Sequence, residues 1–214
     1  GRILSELSAS EEALTAYLKA KELVRETSDR DLEARINNHL GTLYWENGRT
    51  EKSLSCYKEA YRNYEMEQNK IGMTNTLRNI GKSMHGLEKL DSAYFYLSKA
   101  IQLAEQGQID SQMTHLLSSI GSVCAEKGEY EKALTYNKAS LSYPMRKNML
   151  CARYFAIGRL YQNLQKTDSA LLYAEKALMG TDLYIECSAN RLLYTIYVKE
   201  QDYKKACTYN AVSY

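Results

Sequence analysis

Residues 119–134 read Ser-Ile-Gly-Ser-Val-Cys-Ala-Glu-Lys-Gly-Glu-Tyr-Glu-Lys-Ala-Leu. Ile120, Gly121 and Cys124 fall on one stripe at helical spacing. Lys127-Gly128-Glu129 then supplies a short turn signal. A second helical pattern follows, with the small residue Ala133 twelve positions after Gly121. The spacing predicts two helices joined by a two- or three-residue turn.

The same pattern recurs on both sides of this stretch. HLGTLYWENG, NIGKSMHGLE and AIGRLYQNLQ align with it on Gly41, Gly81 and Gly158, and LLYTIYVKEQ places Tyr194 in the glycine slot. The slots are 40, 40, 37 and 36 residues apart. An apolar residue precedes each one: Leu40, Ile80, Ile120, Ile157 and Leu193. Twelve residues after each comes Ser53, Ala93, Ala133, Ala170 or Ala206. Gly1 fits the frame with Ala13, Tyr17 and Ala20, although a leading glycine can be an expression remnant. Repetition at this period marks an array of helix pairs that bury their apolar faces on one another. Gly and Ala in these slots remove Cβ bulk where the two helices of a pair approach closely. Thr50, Asp91, Glu129, Thr167 and Asp202 are placed to cap the second helices or complement their dipoles.

Composition agrees. The chain of 214 residues contains one proline and 44% hydrophobic residues, so it has material for a core and few loops to punctuate. No alternating strand pattern bounded by Asn-Gly or Asp-Gly turns is present. No apolar run reaches the ~18 residues of a membrane span, and no basic-then-apolar leader opens the sequence. Net charge is +2 and pI about 8.2, too balanced for a nucleic-acid footprint. Five cysteines without a CxxC pair argue against a disulfide framework or zinc ribbon. Free thiols fit a reducing compartment better than an oxidising one, although a periplasmic sensor domain also fits the repeat.

The Leu/Ile-Gly-x-x-Tyr element, Gly-Glu-Tyr-Glu-Lys-Ala-Leu at 128–134, Asp-Ser-Ala at 91–93 and 168–170, and Asp-Tyr-Lys-Lys-Ala at 202–206 together resemble the tetratricopeptide repeat. The resemblance runs over essentially the whole chain. It implies an all-α, right-handed superhelical solenoid of antiparallel helix hairpins. One solenoid is expected over 1–214: partial units at 1–33 and 187–214, and full units at 34–73, 74–113, 114–150 and 151–186. The units are longer than the family's usual 34 residues, with the extra residues expected between the second helix and the next first helix. Only Pro144 approximates the family's closing proline. Long units of this kind are similar to those of bacterial sensor and regulator proteins. The last unit stops at Tyr214 inside its second helix, so docking through exposed array ends, including homodimerisation, is an expectation as well.

In the family the first helices line a concave face. Taking each glycine as slot 8, slots 2, 5, 9 and 12 form one stripe. It carries Arg35, Asn38, Thr42 and Trp45; Asn75, Arg78, Lys82 and His85; His115, Ser118, Ser122 and Ala125; Ala152, Phe155, Arg159 and Gln162; and Ser188, Arg191, Thr195 and Val198. Five are Arg or Lys and none is acidic, where chain-wide frequencies would place between two and three of each. Positive charge is expected to be densest at Arg35, Arg78 and Lys82. Arg presents a planar fork to a carboxylate, and Asn pairs with a peptide unit. Trp45 and Phe155 can hold an apolar anchor. The expected ligand-binding set is Arg35, Asn38, Trp45, Asn75, Arg78, Lys82, His115, Phe155, Arg159 and Arg191. The same residues also fit ordinary solvated helix faces, with Glu46 and Glu126 flanking them.

Other chemistry finds little in the sequence. His39, His85 and His115 lie on different units with no i,i+4 pair, which does not favour a metal site. No nucleophile elbow, phosphate loop or zinc-protease motif is present, so neither catalysis nor a cofactor is expected. Cys124 is expected to be buried and inert; Cys151 and Cys187 are expected to be free thiols. Tyr17, Tyr44, Tyr57, Tyr161 and Tyr197 take core slots, while Tyr61, Tyr64, Tyr94, Tyr96 and Tyr173 go to second helices. The leading expectation is a binding module for a peptide or protein segment, one with carboxylates suiting the groove best. A structural or oligomerisation array is the alternative, and RNA binding a distant third, because the slots vary from unit to unit.

Overall fold

A computed structural model describes the backbone of residues 2–210 and the side chains of residues 11–209. Gly1 and Tyr214, on which two of the expectations fall, lie outside the described residues. Among these residues there are eleven helices: α1 (Arg2–Thr27), α2 (Arg30–Glu46), α3 (Thr50–Met66), α4 (Lys70–Gly86), α5 (Leu90–Gly107), α6 (Asp110–Glu126), α7 (Tyr130–Ser140), α8 (Lys147–Asn163), α9 (Thr167–Ala177), α10 (Leu183–Lys199) and α11 (Tyr203–Asn210). Five hairpins follow α1. The fold class is all-α, a tandem array of helix hairpins. The chain divides into two compact units, residues 1–112 and 113–214.

Each hairpin closes through a three-residue turn with one left-handed residue. Gly48 and Gly128 sit at φ +70° and +78°, where glycine carries no Cβ penalty. Glu88, Gln165 and Gln201 take the same conformation at φ 57–60°. The turn is held by a six-to-one bond: the Arg49 amide donates to the Tyr44 carbonyl at 2.7 Å, and Glu129 to Cys124 at 2.9 Å. This Schellman-type closure satisfies carbonyls that the helix end leaves orphaned. Gln68 and Gln108 repeat it between α3 and α4 and between α5 and α6; Ser28 is also left-handed between α1 and α2, where the Asp29 amide donates to Thr27 Oγ1 at 3.4 Å.

In the 40-residue units the extra length lies within the helices, correcting the expectation of longer connectors there, whereas residues 141–146 and 178–182 form the longer connectors expected after α7 and α9. α2, α3 and α4 are 17 residues each, and only residues 67–69 separate α3 from α4. Each first helix opens four residues before the corresponding expected unit boundary, at 30, 70, 110, 147 and 183. Capping explains the start. The Asp29 carboxylate accepts from the Leu32 amide, Asn69 from Gly72, and Asp182 from both Tyr184 and Ile185. Among the residues expected to cap second helices, only Asp202 accepts such a bond, from the Lys205 amide at 3.1 Å; α3, α5, α7 and α9 have no side-chain cap bond. The shorter units arise where α7 and α9 stop after 11 residues. After α7 comes Pro144, and the residue before a proline is pushed out of helical conformation.

The glycine slots are filled by a neighbouring side chain more often than by a backbone. A Cβ on Gly41 would lie 2.5 Å from the Tyr57 ring, on Gly81 2.7 Å from Leu97, and on Gly121 2.5 Å from Asn137. These partners all lie sixteen residues on. At Gly158 that position is Ala174, and there the helix backbone itself comes within 3.2 Å. In residues 1–112, Leu40, Leu77 and Leu97 are almost fully buried, each removal from water stabilising by about 1.5–3 kcal/mol. In residues 113–214, Ile157, Tyr161, Leu192, Leu193, Ile196 and Tyr197 form one cluster with Ala170, Ala174 and Ala206. Tyr57, Tyr161 and Tyr197 are buried as expected; Tyr17 and Tyr44 are half-buried, and Tyr64 is buried although placed with the second-helix set.

Candidate functional site

In residues 1–112 the expected face is formed by α2 and α4. Asn38 is half-buried, and its Oδ1 accepts from Asn79 Nδ2 at 3.2 Å and Thr76 Oγ1 at 3.5 Å. Its carbonyl therefore ties the two first helices together. Thr42 Oγ1 and the Tyr57 hydroxyl are 3.1 Å apart, binding α2 to α3. Trp45 keeps 37% of its surface exposed, and Lys82 Nζ stands 5.1 Å from its ring centroid, a cation–π pair that presents charge and apolar surface side by side.

Arg78 is placed differently from the expectation. It is half-buried, its Nε has no partner, and burial pushes its guanidinium below the ordinary value. The displayed charge on this face comes from Arg35 and Lys82, both exposed. Asn75 is half-buried beside them. Two acids of α2 accept from asparagines: Asn63 donates to Glu33 at 3.0 Å and Asn69 to Asp31 at 2.7 Å, while Glu46 flanks the face beside Trp45.

In residues 113–214 two clefts follow the first helices α6, α8 and α10, with Arg159 on both. One, of about 320 Å³, is lined by Gly121, Ala125, Glu126, Tyr130, Asn137 and Arg159 among others. The other, of about 390 Å³, is lined by Phe155, Arg159, Gln162, Tyr184, Ser188, Arg191, Leu192 and Thr195. The second contains two guanidinium groups, two aromatic rings and no acid. Glu126 brings a carboxylate into the first, so positive potential concentrates between α8 and α10. Arg159 Cζ lies 5.9 Å from the Phe155 ring centroid. His115 is exposed on α6 and lines neither cleft.

Tyr184 escaped the sequence reading. It is 80% exposed and lies before residue 187, where the last unit was expected to begin. Asp182, an N-cap type followed by an apolar run, was the signal that could have found it. Arg153 is another: its Nη1 donates to Asn137 Oδ1 at 3.0 Å, while Asn137 Nδ2 donates to the Ala133 carbonyl at 2.8 Å, so α7 and α8 are locked beneath the first cleft.

All five cysteines are free thiols; Cys56, Cys124 and Cys151 are buried, and burial pushes the Cys56 and Cys124 thiols up. His39 stacks on Tyr17 at 5.3 Å. Among the described residues no group of three or more His, Cys, Asp or Glu is arranged to hold a metal ion, and no helix is long and apolar enough to cross a membrane.

Two segments of the chain match tetratricopeptide-repeat family profiles, residues 1–66 and residues 152–179. No curated protein matches the chain in sequence. Solved structures match it in fold. BtubC from P. vanneervenii superposes with a TM-score of 0.84 at 17% identity, covering 96% of this chain and 89% of that one. YrrB, a tetratricopeptide-repeat protein with an unusual peptide-binding site, gives 0.67 at 16% identity over 91% and 90%. The Rap conjugation gene regulator of plasmid pLS20, solved with the Phr* peptide, gives 0.70 at 17% identity over 99% of this chain and 60% of that one.

Proposed function

The chain being a tetratricopeptide-repeat protein, we propose that it is a peptide-binding module whose first helices take an extended segment bearing carboxylates and an apolar anchor. The observation that carries this reading is the acid-free cleft between α8 and α10, with Arg159 and Arg191 beside Phe155 and Tyr184. Arg forks receive carboxylates in a fixed geometry, and the rings receive an apolar side chain. Trp45 and Lys82 offer the same pairing on the α2–α4 face. Of the expected set, Phe155, Arg159 and Arg191 are the proposed contacts in residues 113–214, and Arg35, Trp45 and Lys82 those of a separate face in residues 1–112. The peptide-binding structures of YrrB and the Rap regulator support the class of ligand, and likeness to Rap favours a regulatory protein as the setting.

The test is binding of a fluorescein-labelled peptide of alternating Glu and Leu, followed by anisotropy. Each charge-assisted bond is worth ~1.5–3 kcal/mol, so Arg159→Glu with Arg191→Glu should weaken binding by at least about tenfold. A Lys-for-Glu peptide that binds equally well, or a double variant that binds unchanged, sinks the proposal.

A further inference from the structure

A third cavity lies over Leu77 and Ile80 of α4, flanked by side chains of the second helices α3 and α5. Its volume is about 160 Å³. Leu77 and Ile80 form its floor, Tyr61 and Tyr96 its walls, and Lys58, Arg62 and Lys99 its rim. No acid lines it.

Three features set this cavity apart from an ordinary solvated helix surface. Lys58 and Arg62 are i and i+4 on α3, a like-charge spacing that destabilises a helix. Neither forms a salt bridge, unlike Lys21, which reaches Glu59 of the same helix at 2.6 Å. Lys99 comes from the other helix and stands 5.0 Å over the Tyr61 ring, so its ammonium is already held at the cavity. Three basic side chains thus rim one small apolar-floored space that no acid lines.

We propose that this cavity is a binding site for an aryl phosphate, the chemistry of a phosphotyrosine side chain. A phosphomonoester carries nearly two negative charges and three acceptor oxygens. That matches three cations, whereas one carboxylate would leave most of their charge unanswered. Arg62 supplies the planar fork, and Lys58 and Lys99 act as point charges. The apolar floor and the two tyrosine rings accept the aromatic stem. The site is independent of the peptide reading above.

Calorimetric titration of the full chain with phenyl phosphate, inorganic phosphate and benzoate tests it, with the tyrosine ring resonances followed by NMR. Phenyl phosphate should bind and shift the Tyr61 and Tyr96 rings, with the other two at least about tenfold weaker. Arg62→Gln, at an exposed position, should keep the parent circular dichroism and weaken phenyl phosphate about ten- to a hundredfold. Arg159→Glu should leave it unchanged. No phenyl phosphate binding, equal binding of benzoate, or indifference to both Arg62→Gln and Lys99→Gln overturns the proposal. A phosphotyrosyl peptide that binds as tightly as phenyl phosphate supports the site and makes the source a protein; a weaker one supports it with a small aryl phosphate as the source.

Discussion

Asn37 is fully buried on α2, and neither atom of its amide has a partner. The positions 40 and 80 residues on are Leu77 and Leu117, both buried. A buried amide without partners costs about 1–3 kcal/mol, and leucine has nearly its shape. Asn37→Leu should therefore raise stability by about that amount in denaturant unfolding; a lower midpoint would show that the amide is satisfied after all. Gly41 makes the opposite case. Its missing Cβ leaves the space occupied by the Tyr57 ring, so Gly41→Ala should destabilise by about 1–3 kcal/mol through overpacking. Adding Tyr57→Ala should make the pair strongly non-additive, because both changes act on one contact. Tyr57 also sets a pH dependence. Burial raises it and Tyr64 above the usual value near 10. A raised folded-state pKa gives stability that is complete below the unfolded value and is lost as pH rises through the folded one. Stability should fall above about pH 10, and less steeply in Tyr57→Phe.

At the scale of the element, the helices are set by their ends. Asp182 accepts from two amides at the start of α10, so Asp182→Ala should cost about 1 kcal/mol. Thr50→Ala should cost much less by the same thermal measurement, because α3 has no side-chain cap bond. Equal costs would contradict the cap assignments. The turns tell the same story from the other end. A left-handed residue closes every three-residue hairpin turn whether it is Gly, Glu or Gln, so the Schellman bond, and not the residue type alone, selects the conformation. Turn positions were legible in Asn47-Gly48-Arg49 and Lys127-Gly128-Glu129. The four-residue earlier start of each first helix is set by the cap residue, which a repeat framed on the glycine does not mark.

Over the whole molecule, charge governs the proposed function more than net charge suggests. The chain carries a net +2, so the proposed binding of an acidic peptide rests on local arginines, and Arg159 and Arg191 are exposed. Screening shortens from ~10 Å at 0.1 M salt to ~3 Å at 1 M, so affinity for the Glu-Leu peptide should fall several-fold over that range. Salt-independent binding would mean that the apolar anchor alone carries it. The ten-residue site reading separates at this scale. Phe155, Arg159 and Arg191 meet in one cleft, Trp45 pairs with Lys82, Asn38 is spent on an inter-helix bond, and Arg78 is half-buried.

The sequence by itself determined the hairpins, their period and the burial of the residues at the repeat slots, because a 40-residue recurrence of apolar and small residues at helical spacing has one way to bury its faces. Tertiary structure alone decided which cations reach solvent. Helical spacing places Arg78 and Arg159 on equivalent stripes, but it does not encode what packs over each. Arg78 lies within the packing of its hairpins, and burial lowers its guanidinium; Arg159 faces an open cleft. The cavity rimmed by Lys58, Arg62 and Lys99 is hidden for the same reason: its basic side chains come from two helices that come together only as both pack on α4.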